Sequence, residues 1–359
     1  MEEFFCRTKI LAGSGAAEKL GELGAKRVFL VSDPFFEKNG TARKIGEQTK
    51  AEQIYIFSDV RPDPSVELAA EGTARLRAFD PDLIIALGGG SAMDCAKAMA
   101  FFAGNGAKLV AIPTTSGSGS EVTDFAILTH NGVKHPLVDR KLCPSMAVLD
   151  SDLLQQLPSS LVADAGFDVL SHALEALAAT GAGVITDALA RDAFCKAFSR
   201  LPRSFSGDKS VRLEVHLAAT MAGMAFSQAG LGLCHALSHS LGGAFHVPHG
   251  RLNAILLPAV VAFNAPRAGK KYADLARMAD LGGSAEQIAV RNLKNGLIRL
   301  RRELKLPQTL AEAGIASGEL RKKSDQIVQA VLDDPCCRTN PVPVTGADVR
   351  RILQEVSGG

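Results

Sequence analysis

Of the eight histidines in this 359-residue chain, four (His235, His239, His246 and His249) fall between Gly230 and Asn253. Neutral imidazole is the commonest metal ligand and the only side chain whose unperturbed charge change lies near pH 7. His235 and His239 are four residues apart, so a helix presents both on one face. Gly242 and Gly243 loosen that pattern, and Pro248 marks a break that lets His249 swing back toward the pair. Earlier in the chain, Asp168 and His172 also stand four apart, with Glu175 three residues further on. One helix turn then carries a carboxylate and an imidazole on the same side, with Glu175 either orienting His172 or facing solvent. The neighbouring residues are small and apolar, and a charged Asp and a His facing a core need a compensating partner. A divalent metal supplies one. Asp168, His172, His235 and His249 make one possible set of four ligands, although spacing does not choose between His235 and His239. Three imidazoles and a carboxylate suit Fe(II), Zn(II), Co(II) or Mn(II). Calcium and magnesium prefer more oxygen. The competing reading is a set of buried helices with hydrogen-bonded histidines.

A second group of residues suits an anion. Leu83 to Leu87 reads as a strand buried on both faces, and it runs directly into Gly88-Gly89-Gly90-Ser91-Ala92-Met93-Asp94 and a helix through Lys97. Glycines there let backbone N–H groups approach a pyrophosphate, and the helix N-terminus adds a favourable dipole. Ser91 can cap that helix or bond a phosphate oxygen. The spacing is neither GxGxxG nor a Walker A loop. A second loop rich in glycine and hydroxyls, Pro113 to Glu121, follows the next apolar run. Ligands of open α/β sheets bind beyond such strand ends. Asp33 ends the first strand. It can bond a ribose hydroxyl and repel a 2′-phosphate, favouring NAD over NADP, or it can cap a helix ahead of Pro34.

The elements that must position these residues divide the chain in two. Short apolar runs at 26–32, 54–57, 83–87 and 108–112 alternate with helical patterns such as 66–79, which argues for an open, mostly parallel sheet. From Leu161 onward the pattern is helical, with periodic runs at 169–179, 185–201, 211–228 and 285–304 and no strong β run. The expected domains are 1–155, an α/β unit, and 156–359, an all-α unit. The apolar run 253–263 is interrupted at Pro258 and is too short to span a membrane. The basic clusters at 299–302 and 321–323 read as solvated helix faces.

Composition narrows the partners. A net charge of +2 gives no reason to expect nucleic acid or an anionic membrane. Seven cysteines, an odd number with no CxxC, fit reduced thiols in a cytoplasmic setting. The N-terminal MEEFFCRTKILAG lacks the long apolar segment of a secretory signal.

Four motifs together give the chain a likeness: GGGSAMDCAKA at 88–98, PTTSGSGSEVT at 113–123, DVLSHALEA at 168–176 and GLCHALSHSLGGAFHVPHG at 232–250, with NPVPVT at 340–345 in support. In these the chain resembles the iron-containing (group III) alcohol dehydrogenases over essentially its whole length, although it is somewhat short for them. Around Val31 to Phe35 it is most similar to the short propanol dehydrogenase type of diol-utilising bacteria. The resemblance implies a Rossmann-like dinucleotide-binding α/β domain followed by an all-α domain, the dehydroquinate synthase-like architecture, with the site in the cleft between them. It assigns Asp168, His172, His235 and His249 to the metal, Fe(II) foremost and Zn(II) as the alternative. It leaves His239 unligated beside substrate and nicotinamide. Around NAD it implies Asp33, Gly89, Gly90, Ser91, Asp94, Thr114, Thr115, Ser118 and Lys134. The implied activity is reversible hydride transfer between a short-chain primary alcohol and NAD, by a cytoplasmic homodimer. A microcompartment location is the variant, though no encapsulation peptide is visible. The rivals are a glycerol, polyol or glycerol-phosphate dehydrogenase, a dehydroquinate synthase-like lyase, or a non-catalytic assembly protein. For a phosphorylated substrate, Arg251 is the one nearby basic candidate.

Overall fold

The computed structural model describes residues 3–130 and 133–358. It contains two compact units, residues 5–157 and residues 158–358, the latter including residues 3–4.

The first unit is built on β1 (Lys9–Gly13), β2 (Arg27–Ser32), β3 (Gln53–Phe57), β4 (Leu83–Gly88), β5 (Lys108–Pro113) and β8 (Met146–Asp150), with a separate hairpin of β6 (Phe125–His130) and β7 (Val133–Val138). The six-stranded sheet has the order β1-β8-β5-β4-β2-β3, and every pairing in it is parallel. Successive side chains point to opposite faces, and each face has its own core. Val28, Leu30, Leu83, Ile85, Leu87, Val110 and Ile112 pack on one side. Phe29, Val31, Ile84, Ala86, Leu109 and Ala111 pack on the other. Double-sided burial is why β2, β4 and β5 read as unbroken apolar runs. From β2 the chain moves outward to β3, then returns across β2 to form β4. This reversal is a topological switch point, and ligands of such sheets sit beyond the strand ends there.

The four strands legible in the sequence fall within one residue of expectation. Strands β1 and β8, and the β6–β7 hairpin, were not foreseen. β1 is a five-residue segment closed by Gly13, and its partner β8 lies over a hundred residues away in sequence, so no local pattern announces the pair.

Among the described residues the regular elements of the second unit are all helices. The Ser159–Ala178 helix packs against Val184–Phe205, Arg212–Ala229 and His249–Met278. Two expectations need correcting. Pro258 does not interrupt the apolar run, because the His249–Met278 helix continues through both Pro258 and Pro266. A proline inside a helix supplies no N–H to the carbonyl four residues back, here that of Ala254. Arg301 fills the role: its Nη1 donates to Ala254 O at 3.0 Å and Ile255 O at 3.1 Å. Arg301 is therefore buried, 7% exposed, and not part of a solvated face; Arg299 and Arg302 are exposed as expected. Among the described residues no single helix is long and apolar enough to cross a membrane.

Candidate metal centre and dinucleotide loops

Three helices of the second unit deliver a converging set of side chains. Asp168 and His172 lie on Ser159–Ala178, His235 on Leu233–Phe245, and His249 opens His249–Met278. Asp168 Oδ1 lies 3.8 Å from His172 Nε2, 3.7 Å from His235 Nε2 and 3.5 Å from His249 Nε2. One ligating atom each from Asp168, His235 and His249 lies within 4.8 Å of the others; His172 joins through its approach to Asp168. A tetrahedral ion with bonds of about 2.0–2.2 Å sets donor separations of about 3.3–3.6 Å. Small side-chain adjustments reach that geometry. His235 Nε2 is buried with no hydrogen-bond partner, and an orphaned imidazole nitrogen beside a carboxylate is what a cation satisfies. The donors therefore fit a divalent metal of the first row.

The charges agree with this. Burial opposes the ionised form of Asp168, but His172, His249 and His235 outweigh it and hold the carboxyl well below the usual range. Burial likewise disfavours charged His235, yet Glu175 and Asp168 raise its pKa to about 9. His249 shifts the other way: burial lowers it, and the neighbouring imidazoles add to that.

Residues of the surrounding shell fix the rings. Glu175 accepts hydrogen bonds from Cys234 N at 2.6 Å, His235 N at 3.3 Å and the His235 Nδ1. It thus orients His235, not His172, and satisfies N–H groups at the start of the Leu233–Phe245 helix. Asn340 accepts from Leu233 N at 3.1 Å and pairs reciprocally with Asn264. Asn253, one turn after His249, donates to Asp168 Oδ1 at 2.8 Å. His172 is sandwiched by rings, stacked on His235 at 4.6 Å and on Phe226 at 4.3 Å. Pro248 does mark the break that returns His249 to the pair: His246 ends one helix in the left-handed conformation, at φ 56°, and the next begins at His249. Gly250 permits close helix packing, since a Cβ there would lie 1.9 Å from Asp164 O.

His239 remains beside the set. Its ring stacks on His249 at 5.2 Å, and its Nδ1 lies 2.9 Å from Asp334 Oδ2. Asp334 stays ionised: burial works against it, but the His239 bond outweighs that and lowers its pKa. A carboxylate only accepts, so Nδ1 carries the proton and Nε2 is left as the acceptor. Asp334 was not foreseen, and Asn340 was marked only as the first residue of the NPVPVT motif, without a role. Arg251 donates to both Asp164 oxygens, at 3.2 and 2.9 Å, and so is already engaged.

In the first unit the foreseen loops meet at the switch point. Gly88 has φ 149°, and a Cβ on it would lie 2.7 Å from Ala92 Cβ and 3.7 Å from Asp33 Oδ2, so glycine is required and Asp33 borders the loop. The helix Gly90–Ala103 has Gly89 as N-cap with no side-chain cap bond. Ser91 therefore does not cap it, and among the described residues no side-chain cap bond closes its start. Asp33 does cap the Pro34–Lys38 helix, accepting from Phe35 N at 2.9 Å through Oδ1. The second loop packs onto the first: Thr114 N donates to Gly88 O at 2.9 Å, a Cβ on Gly89 would lie 3.3 Å from Thr115, and one on Gly90 would lie 3.3 Å from Ser118. Asp94 points inward instead, accepting from Ser120 Oγ at 2.7 Å and Ile127 N at 3.1 Å. Lys97, fully buried and not foreseen as functional, donates to Ser120, Thr123 and Phe125 O. Lys134 lies on β7, ion-paired with Asp63 at 2.7 Å.

Known proteins share this architecture. Residues 7–151 match the family model for iron-containing alcohol dehydrogenase, and residues 162–357 match its C-terminal counterpart. The chain is 38% identical to the 1-propanol dehydrogenase of Citrobacter freundii, covering 99% of this chain and 100% of that one. It is 37% identical to the NADPH-dependent butanol dehydrogenase of Clostridium saccharobutylicum, covering 100% and 99%. Among solved structures, the iron-containing alcohol dehydrogenase of Thermococcus thioreducens superposes with a TM-score of 0.93 at 31% identity, over 99% of this chain and 100% of that one. The chain belongs to the iron-containing alcohol dehydrogenase family and is an oxidoreductase acting on alcohols.

Proposed function

We propose that this enzyme interconverts a short-chain primary alcohol and its aldehyde with NAD(H), its 1–155 domain binding the dinucleotide and its 156–359 domain the metal and substrate. The observation that carries this is the approach of three imidazole Nε2 atoms to Asp168 Oδ1 at 3.5–3.8 Å. Asp168, His172, His235 and His249 are assigned as ligands of a divalent ion, iron first. When bound, that ion supplies Lewis acidity toward the substrate oxygen and NAD accepts the hydride. His239, with its Nδ1–H held by Asp334, offers Nε2 to the alcohol proton and passes it to solvent. The alcohol thus loses one hydride and one proton. His172 and His235, both buried, keep water from the ligand cluster.

Gly89, Gly90, Ser91, Thr114, Thr115 and Ser118 present backbone N–H groups and hydroxyls to the pyrophosphate. Asp33 keeps Oδ2 beside Gly88, where it suits a ribose diol better than a 2′-phosphate. Asp94 supports the second loop from behind. Lys134 is the weakest of the assigned cofactor residues, because Asp63 already pairs with it. Engagement of Arg251 by Asp164 removes the basic group that a phosphorylated substrate requires. The names of the propanol and butanol dehydrogenase relatives support a short apolar alcohol. A cytoplasmic homodimer completes the reading, supported by seven free thiols and the family likeness.

The test is an anaerobic panel of ethanol, 1-propanol, 1,2-propanediol, glycerol and glycerol phosphate with NAD and NADP, after parallel iron and zinc reconstitution. Turnover of 1-propanol with NAD, abolished by metal removal and by His249→Ala, is expected. Preference for glycerol phosphate, or full activity in metal-free protein, overturns the assignment.

A further inference from the structure

Beside the proposed catalytic ligands lies a second cluster with a different donor set. His239, Asp334 and Cys336 each offer one ligating atom within 4.8 Å of the other two. Asp334 is the hub: Oδ2 lies 2.9 Å from His239 Nδ1, and Oδ1 accepts the Cys336 N–H at 2.8 Å. All three residues are partly exposed, and the His239 side chain keeps 29% and that of Asp334 13% of their surface open to solvent, the side from which an ion can approach the buried thiol. None belongs to the Asp168, His172, His235 and His249 set.

We propose that His239, Asp334 and Cys336 form a second cation site, which takes a thiophilic divalent ion of the zinc class and holds the enzyme inactive while occupied. One sulfur, one imidazole nitrogen and one carboxylate oxygen are a zinc donor set, and the sulfur distinguishes this cluster from the all-N/O set proposed for catalysis. Soft thiolate ligation and the ordering Fe(II) below Zn(II) both favour zinc or cadmium over iron here. The proton balance is closed. Cys336 S–H loses its proton to solvent, and the S–metal bond forms. Burial and Asp334 keep that thiol protonated in the free state, so the ion must displace the proton. His239 keeps one proton, which moves from Nδ1 to Nε2 as Nδ1 binds the ion. With Nε2 protonated, His239 no longer accepts a proton from the alcohol. Inhibition, but not binding, therefore rests on the role proposed for His239.

The experiment titrates Cd(II) into metal-loaded holoenzyme while following thiolate-to-cadmium charge-transfer absorption, total metal per chain and turnover together. Expected are one equivalent beyond the catalytic ion, a matching absorption band, and loss of at least nine-tenths of activity that a chelator reverses. Cys336→Ser should abolish the band and the extra equivalent while its turnover without cadmium stays near wild type. Cys337→Ser should keep both. The site is refuted if the band survives Cys336→Ser, if Cys337→Ser removes it, or if cadmium enters only by displacing the catalytic ion one for one. A band with undiminished turnover keeps the site and refutes the role given to His239.

Discussion

Replacing Glu175 by Gln sets two opposed effects against each other, and their magnitudes decide the outcome. The carboxylate accepts the His235 Nδ1 hydrogen bond as well as bonds from two backbone N–H groups. Losing a carboxylate that orients a ligand histidine costs about 10–100-fold in metal affinity, or about 1.4–2.7 kcal/mol. The same carboxylate also makes protons compete for His235. With a pKa of about 9 in the cation-free state, His235 at pH 7 is protonated in all but about one molecule in a hundred, which weakens apparent metal affinity by about 100-fold. Glu175→Gln relieves much of that competition. The two effects nearly cancel at pH 7, so wild type and variant should bind within a few-fold of one another. By pH 9 the competition has faded in both proteins, and the variant should fall about 10–100-fold behind. Chelator-buffered Zn(II) or Co(II) titrations at pH 7, 8 and 9 measure the ratio. A ratio that stays flat with pH, or narrows as pH rises, refutes the reasoning. Stability of the cation-free protein follows the linkage sign for a raised imidazole pKa. The deficit of the variant should be largest below pH 6.5 and shrink as pH rises through about 9.

Other residues give sharp tests. Burial lowers the Lys97 pKa to about 8, so between pH 8 and 10.5 the unfolded chain binds more protons than the folded one and wild type gains stability. Relative to Lys97→Met, that gain should be on the order of 3 kcal/mol in denaturant titrations, and no relative gain would contradict the buried-ammonium reading. Arg301→Met should cost about 1–3 kcal/mol by orphaning the Ala254 carbonyl, which Pro258 leaves without a helical donor. Combined with Pro258→Ala, which restores a donor to Ala254 O, the loss should be smaller than additive by at least about 0.5 kcal/mol. Gly250→Ala must push the His249 helix off Asp164, so thermal stability should drop by about 1–3 kcal/mol and metal per chain should fall. Normal metal content in that variant would show that helix spacing does not set the cluster.

The sequence displayed the donors but little of what aims them. Asp168 with His172, and His235 with His239, are four-residue spacings, and helices turn such spacings into shared faces. Pro248 signalled the break that returns His249. By contrast, Asp334 is 95 residues from His239, and Asn340 is 107 residues from Leu233. Contacts of that range leave no periodic trace. The same holds for β1 and β8, which pair directly at one edge of the sheet although more than a hundred residues separate them. Arg301 misled for a related reason: a basic cluster on an amphipathic helix reads as surface unless one knows that a proline on another helix has left a carbonyl unsatisfied beside it. Asp33 carried two readings, and the structure fills one of them with Oδ1 while leaving Oδ2 toward Gly88 for the other.

What aims the donors is chiefly side-chain bonding to backbone. Glu175 grips the N–H groups that begin the Leu233–Phe245 helix, Asn340 takes another of them, and Gly250 admits the Asp164 carbonyl. A helix start has N–H groups that its own turns cannot satisfy. Binding them to a buried carboxylate on the Ser159–Ala178 helix fixes the axial position and the rotation of His235 together. Glu175 then spends its remaining capacity on the His235 ring, so one carboxylate sets helix position, ring orientation and tautomer together. Asp168 and His172 lie within the helix that carries Glu175, and that economy explains why His235 sits at a helix start. Only there are backbone donors available to a side chain, and only there does the orientation of a ligand follow from the same bonds that fix its helix.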